Sequence, residues 1–216
     1  MTDIDREIDE ELRQDRAAEL WKTYSGLVYA VAALIVIGVG AYRFYDHQRV
    51  KAAQTAGALY QTAIGLSREA KTAEAEGAFE QIVREAPKGY ADLARLRAAA
   101  ERATLDRDGA VKAFDAYAAD GADPLLRDVA RLRAAMLRAD VAERKEIEAR
   151  LAPLAAEGQP FRASARELLG LAALKAEDYD GAGRWFDQIV IDPEAGPALK
   201  QRAQAYLAIV RSNRKL

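Results

Sequence analysis

The longest uninterrupted apolar segment of the chain runs from Thr23 to Tyr42 and contains no acidic residue, no basic residue and no histidine. A helix rises about 1.5 Å per residue, so a segment of this length spans about 30 Å, the thickness of the hydrocarbon core of a bilayer. Aromatic rings, which favour the headgroup level of a membrane, flank it on both sides: Trp21, Tyr24, Tyr42, Phe44 and Tyr45. The pattern predicts one transmembrane helix over residues 23–42.

Two other interpretations of this segment compete with a membrane anchor. A helix buried in a soluble core rarely runs so far without a charge. A cleaved signal peptide needs a basic start and a cleavage site with small residues. Gly38-Val39-Gly40 could serve as that site, but residues 1–22 hold eight acidic and only four basic residues. A permanent anchor fits the sequence better than either alternative.

Residues 1–22 form an acidic N-terminal tail. Ile4, Ile8 and Leu12 recur at every fourth position, which predicts a helix with one thin apolar stripe. The stripe is either a docking face for a partner or part of a solvated acidic helix near the membrane, and its thinness favours the second interpretation.

Beyond Arg43 the helical pattern continues without a proline or a Gly-Ser linker. Small and apolar residues recur along one helical face: Ala52, Ala53, Ala56, Leu59, Tyr60, Ala63 and Ile64. We therefore expect the remaining domain, residues 43–216, to begin on a continuation of the anchor helix rather than on a flexible tether.

This domain repeats itself. Residues 106–115 and 178–187 both follow the pattern D-x-D-G-A-x-(K/R)-x-F-D, and their phenylalanines, Phe114 and Phe186, are 72 residues apart. Phe79 lies 35 residues before Phe114. A period of about 34 residues that carries pairs of helices is typical of stacked helical hairpins. Together with the abundance of Ala, Leu, Arg and Glu, it predicts an all-α fold, an α-solenoid of such hairpins.

The last unit of the repeat is similar to a tetratricopeptide repeat. The residues that carry this resemblance are Leu169, Gly170, Tyr179, Ala182 and Phe186, with Pro193 and Pro197 ending the hairpin. The chain departs from the consensus at Arg166, which replaces a Trp, at Ala173, which replaces a Tyr, and at Pro193, which comes one residue early. The resemblance implies that Ala182 lies where two helices touch and that Phe186 fills this contact. Trp185 then points about 100° away, toward an outer or inter-repeat surface.

The other units are more degenerate. The first keeps Ala75, Phe79, Ile82 and Pro87. The third, near residues 125–160, has no Phe, and Pro153 inside it predicts a kink. Its predicted apolar face consists of Leu125, Val129, Leu132, Met136, Ile147, Leu151 and Leu154. A C-terminal capping helix is predicted from Leu199, Ala203, Tyr206, Leu207 and Val210, with Arg211, Arg214 and Lys215 at or beyond its last turn.

Charge and composition exclude several classes of function. The tail carries a formal charge of −4 and the rest of the chain +2, so neither part is a basic surface for nucleic acid. The chain has no cysteine, which excludes disulfides and thiolate chemistry. Its single histidine, His47, has no second metal ligand nearby.

No motif predicts a catalytic, cofactor-binding or metal-binding residue, so we expect neither an enzyme nor a small-molecule substrate. Gly38-Val39-Gly40 lies inside the anchor, without the strand that a dinucleotide site requires. Four acids, Asp106, Asp108, Asp178 and Asp180, stand in segments too short for an EF-hand, and helix capping explains them better. The only asparagine, Asn213, is in the C-terminal tail, so an asparagine-based clamp for a partner's C-terminal carboxylate is not expected.

The order of these segments resembles that of the TPR-like ancillary subunits of the bacterial SecYEG translocon. The resemblance rests on the tail ending in Glu19-Leu20-Trp21-Lys22, on the anchor with its continuing helix, and on the unit Arg166–Val190. It implies a single-pass inner-membrane protein with a cytoplasmic N-terminus and periplasmic repeats. Such a protein would sit beside the Sec translocon and pass emerging, unfolded client polypeptides toward periplasmic chaperones.

A second interpretation stays open, a general membrane-anchored scaffold for cell-envelope assembly or division without contact to the translocon. Charge does not decide the topology. The cytoplasmic side of a membrane helix usually carries more lysine and arginine than the other side. Here the numbers are nearly equal: four basic residues precede the anchor, Arg6, Arg13, Arg16 and Lys22, and three follow it, Arg43, Arg49 and Lys51.

Overall fold

The computed structural model of the chain describes residues 3–213, with side chains from residue 21 onward except at Thr23 and Val28. This described part contains nine α-helices and no strand, which confirms the predicted all-α fold. The helices are α1 (Asp3–Arg68), α2 (Thr72–Glu85), α3 (Lys88–Leu105), α4 (Arg107–Asp120), α5 (Pro124–Arg138), α6 (Arg144–Ala155), α7 (Arg162–Lys175), α8 (Tyr179–Ile191) and α9 (Pro197–Asn213).

The chain divides into two compact units, of which the first ends at Gln54 and the second begins at Thr55. Helix α1 contributes to both, so the predicted continuation of the anchor helix past Arg43 is confirmed. The domain boundaries predicted at residues 22 and 42 stay predictions.

In the first unit, the part of α1 that begins at Tyr24 is long and apolar enough to cross a membrane, with a mean hydropathy of 2.0 in its most apolar window. None of that window is buried, and Leu34 and Val36 are 70% and 71% exposed. The core helix of a soluble domain would be mostly buried, which this segment is not, and its length and composition make it a candidate membrane anchor. The predicted stripe of Ile4, Ile8 and Leu12 lies outside the residues whose side chains are described.

The second unit is built from helical hairpins. The end of α1 pairs with α2, α3 with α4, α5 with α6 and α7 with α8, and α9 packs on the last hairpin. We call the leading member of each pair the first helix and the other the second helix. The helices α5 and α6 pack against each other less extensively than the partners in the α3–α4 and α7–α8 hairpins.

Each second helix lies at the centre of one cluster of buried side chains. The central residues always occupy positions i, i+4 and i+7, one face of a helix. They are Ala75, Phe79 and Ile82 on α2, Ala110, Phe114 and Tyr117 on α4, Ile147, Leu151 and Leu154 on α6, and Ala182, Phe186 and Ile189 on α8. In α6, Ile147 stands where the other second helices have an alanine, and Leu151 stands where they have a phenylalanine. The third unit therefore keeps the pattern without a Phe.

The hairpin of α7 and α8 has the predicted contact. Ala182 and Phe186 are fully buried, and a Cβ added at Gly170 would lie 2.6 Å from the ring of Phe186. The ring also stacks on Tyr206 of the capping helix at a centroid distance of 4.9 Å. Trp185 is only partly buried and packs against the neighbouring cluster around α6, which confirms its predicted inter-repeat position.

The predicted apolar face of α5 is wrong in part. Leu125 and Met136 are 49% and 47% exposed, whereas the buried face consists of Ala130, Ala134 and Ala135. Close approach of neighbouring helices favours small side chains over large ones at the contact. The residues predicted on α6 are buried as expected. Pro153 lies in the last turn of α6, which ends at Ala155, and the kink stays a prediction.

Candidate functional site

Three clefts separate the second helices of successive hairpins. The 2–4 cleft lies between α2 and α4 over α3, with a volume of about 400 Å³. The 4–6 cleft lies between α4 and α6 over α5 and has a volume of about 470 Å³. The 6–8 cleft lies between α6 and α8 over α7 and is the largest of the three, at about 760 Å³. These clefts are the candidate binding surfaces of the repeat unit.

An arginine of the intervening first helix lines each cleft. They are Arg95 in the 2–4 cleft, Arg131 in the 4–6 cleft and Arg166 in the 6–8 cleft. Arg95 and Arg131 stand 36 residues apart in two identical segments, Ala94–Ala99 and Ala130–Ala135, which both read A-R-L-R-A-A. Sequence reasoning missed this second repeat, although its period matches that of the phenylalanines.

In the 2–4 and 4–6 clefts the arginine is already engaged. Arg95 donates to Asp120 Oδ1 at 3.1 Å, and its guanidinium lies 5.0 Å from the centre of the Tyr117 ring. Burial raises the pKa of Tyr117, and the nearby carboxylate of Asp92 adds to this effect. Arg131 donates to Asp128 Oδ1 at 2.7 Å and to the carbonyl oxygen of Ala118 at 3.4 Å. The apolar lining of these two clefts consists of small side chains, mostly alanines.

The floor of the 6–8 cleft is a buried cluster of charges. Arg162 donates from Nε and Nη2 to both carboxylate oxygens of Asp192, at 2.6 and 2.7 Å. Arg166 donates to the same carboxylate at 3.4 Å and to the carbonyl oxygen of Ala155 at 3.1 Å. The side chains of Arg166 and Asp192 are only 9% and 4% exposed. The hydrogen bonds from Arg162 hold the pKa of Asp192 at about 2, against the opposing effect of burial.

Fewer side chains at the rim of the 6–8 cleft are held in ion pairs than on its floor. Trp185 and Ile191 form an apolar wall, and Ile191 is 77% exposed at the end of α8. Glu157 stands on the loop after α6, and Glu194 follows α8, where it pairs with Arg162 at 2.6 Å. Among the described residues, Gln188 and Glu157 have no hydrogen-bond partner for their side chains. The cleft therefore combines an apolar wall, free polar groups and an acidic edge.

The residues considered as chemical candidates have structural positions. His47 is exposed on α1, and the described residues hold no cluster of three potential metal ligands. Asp106 and Asp178 cap α4 and α8, because each accepts a hydrogen bond from a backbone N–H, that of Gly109 at 2.9 Å and that of Gly181 at 2.8 Å. Asn213 donates to the carbonyl oxygen of Ile209 at the end of α9.

Comparison with known proteins agrees with this architecture. A family model described as a tetratricopeptide repeat-like domain matches residues 19–206. No curated protein and no solved structure matches the chain significantly. The family match includes the apolar segment of α1 as well as the hairpins, and it covers most of the sequence. The chain therefore belongs to the family of tetratricopeptide repeat-like domain proteins.

Proposed function

We propose that this protein is a membrane-anchored interaction scaffold that assists protein export at the bacterial Sec translocon. One observation carries the proposal: a single family match, from residue 19 to residue 206, includes both an exposed apolar segment and the stacked hairpins. Repeat units of this kind present extended surfaces to other proteins. The repeat domain is therefore an interaction module, and we propose no enzymatic activity for it.

The partners we propose are the translocon itself, the polypeptides that emerge from it and the periplasmic chaperones that receive them. The support is the resemblance of the segment order to the ancillary translocon subunits, together with clefts that offer both apolar and polar groups. In this proposal residues 1–22 lie in the cytoplasm, the anchor spans the inner membrane and the repeats lie in the periplasm.

Topology is the first test. Alkaline phosphatase fused after Leu216 should be active, because that enzyme matures only outside the cytoplasm. A reporter that works only in the cytoplasm should be inactive at the same site. The reverse pair of results would place the repeats in the cytoplasm and exclude a role with periplasmic chaperones.

The second test identifies the partners. Crosslinking of the intact membrane protein in living cells, followed by mass spectrometry, should recover translocon subunits and periplasmic chaperones. Crosslinks to envelope-assembly or division proteins without any translocon subunit would favour the general scaffold instead.

A further inference from the structure

We propose that the 6–8 cleft binds an extended polypeptide segment in which a large apolar side chain stands next to a lysine or arginine. This inference rests on the proposed function, since it names the chemistry of the client and the site that receives it. The site lies between two second helices, and three sets of groups define its ligand.

The apolar wall selects a large apolar side chain. Trp185 is partly buried against the cluster around α6 and also lines the cleft, so part of its apolar surface is open to a ligand. Ile191 adds an exposed apolar side chain at the end of the same helix. A side chain that enters between them would remove apolar surface from water on both sides. The other two clefts have no aromatic residue in their lining.

The buried arginine offers hydrogen bonds to a peptide backbone. A guanidinium carries five N–H groups, and Arg166 uses Nε for Ala155 and Nη1 for Asp192. The N–H groups left over are held in the lining of the cleft by a side chain that is only 9% exposed. Gln188 adds a side-chain amide to the same lining. Such donors suit the carbonyl oxygens of an extended chain, which has no internal partners for them.

The charge of the site favours a basic neighbour over a carboxylate. Two arginines line the cleft, and three acids, Asp192, Glu194 and Glu157, outnumber them. Asp192 lies on the floor, whereas Glu157 and Glu194 are exposed at the rim. Glu194 already pairs with Arg162, so Glu157 is the rim carboxylate that a lysine or arginine beside the bound apolar residue would reach. A C-terminal carboxylate would be repelled at this acidic rim.

The test measures peptide binding to the full chain in detergent micelles. The chain has two tryptophans, so the Trp21→Phe variant leaves Trp185 as the only one and makes its emission a probe of the cleft. The probe peptide is acetyl-SGKLKGS-amide. Its controls replace the leucine by serine, replace both lysines by glutamates, or leave the C-terminus as a free acid. We expect the parent peptide to shift the emission of Trp185 and to bind tightest of the four.

Two variants then locate the site. Ile191→Ser removes an exposed side chain and should weaken binding of the parent peptide about tenfold at unchanged stability. Glu157→Lys should weaken the parent peptide and improve the glutamate peptide. Leu105→Ser is the matched control, because Leu105 is 61% exposed and lies outside all three clefts. This variant should bind the parent peptide as tightly as the protein without the substitution does.

Three results would overturn the inference: equal affinity for the leucine and serine peptides, tighter binding of the free acid, or unchanged binding in both cleft variants. These outcomes are separable from a failure of the proposed function. Crosslinks to the translocon without peptide binding would support the proposed function and contradict the proposed site. Peptide binding without translocon crosslinks would support the proposed site and contradict the proposed function.

Discussion

Asp192 accepts hydrogen bonds from two arginines and from the backbone N–H of Glu194, although only 4% of its side chain is exposed. Burial of a single charge is costly, and the surrounding donors offset that cost only while all partners are present. Removal of the carboxylate would leave the buried charge of Arg166 with one neutral partner, the carbonyl oxygen of Ala155. This residue therefore controls both the order of the cleft floor and the position of Arg166.

Asp192→Asn should lower the free energy of unfolding by about 3 kcal/mol at neutral pH, because it uncouples a buried ion pair. The pKa of Asp192 is about 2 in the folded protein and about 3.9 in an unfolded chain. Its contribution to stability is therefore complete above about pH 4 and is lost as the pH falls through 2.

Urea unfolding of both proteins at pH 6 and at stepwise lower pH, followed by circular dichroism, checks this prediction. The difference between wild type and Asp192→Asn should shrink as the pH falls toward 2. Asp140→Asn is the control, since the Asp140 side chain is 81% exposed and 3.9 Å from Arg107. An equal decrease in the free energy of unfolding of the two variants would show that the buried cluster contributes no more to stability than a surface ion pair does.

The sequence predicted individual residues well where a motif defines them. Ala182 and Phe186 were placed by their spacing, and the structure buries both. Asp192 was not predicted, because its arginine partners lie 26 and 30 residues earlier in the chain. The ion pairs depend on how α7 packs beside the end of α8, and no local sequence pattern encodes the distance between the arginines and Asp192.

At the scale of single helices, the repeated D-x-D-G segments are helix starts. The first Asp of each segment caps the helix, and the glycine leaves room for its carboxylate: a Cβ at Gly109 or Gly181 would collide with the side chain of Asp106 or Asp178. The second Asp lies in the first turn, where the helix dipole favours a negative charge. The motif thus encodes a cap, as the sequence predicted.

Asp106→Ala should lower the free energy of unfolding by about 1 kcal/mol, because the backbone N–H of Gly109 loses its acceptor. Asp106→Asn should be nearly neutral, since asparagine caps helices as well as aspartate does. Thermal unfolding of the two variants beside Asp108→Ala checks the assignment. Asp108 is 80% exposed, and its removal should cost only a few tenths of a kcal/mol. Similar losses at positions 106 and 108 would contradict capping as the role of Asp106.

Helix α5 shows where sequence reasoning fails for an element. Its large apolar residues and its alanines lie on different faces, and hydrophobicity alone favours the large ones. The structure buries Ala130, Ala134 and Ala135 because neighbouring helices approach closely there. In an alanine-rich helix, the segment A-R-L-R-A-A is therefore a better indicator of the buried face than Leu125 or Met136.

At the scale of the whole molecule, the period of the phenylalanines was sufficient to predict a stack of hairpins, and the apolar pattern from Leu199 to Val210 predicted the capping helix. The clefts were not predictable, because they depend on the separation of second helices that are not adjacent in the chain. The candidate anchor helix was predictable from composition, whereas charge does not predict the side of the membrane proposed for the repeats.

In the proposed function, the candidate anchor carries the contact with the translocon. It presents small residues, Ala32, Ala33, Gly38, Gly40 and Ala41. A Cβ added at Gly38 or Gly40 would lie within 4 Å of no atom beyond the local helix backbone. Small residues permit close packing against another membrane helix. Exchange of residues 24–42 for an unrelated anchor of equal length should therefore abolish co-purification with the translocon in mild detergent.

The control for this exchange is a folded repeat unit, measured by circular dichroism, at the same expression level and topology. Undiminished co-purification would transfer the contact to the repeats or to the acidic tail, and would indicate that the small residues face lipid only.

The four buried clusters have a consequence for cooperativity. The buried residues of each cluster come from three consecutive helices, and neighbouring clusters share a first helix. Stability is therefore distributed along the stack as contributions from neighbouring hairpins rather than held in one core. Partial opening is then an ordinary property of such a chain. The helices α5 and α6 pack against each other less extensively than the partners in the α3–α4 and α7–α8 hairpins, so we expect opening at this hairpin more readily than at those two. Ala155 of α6 lines the 6–8 cleft, so opening of this hairpin would displace one side of the cleft, and a bound polypeptide would favour the closed stack.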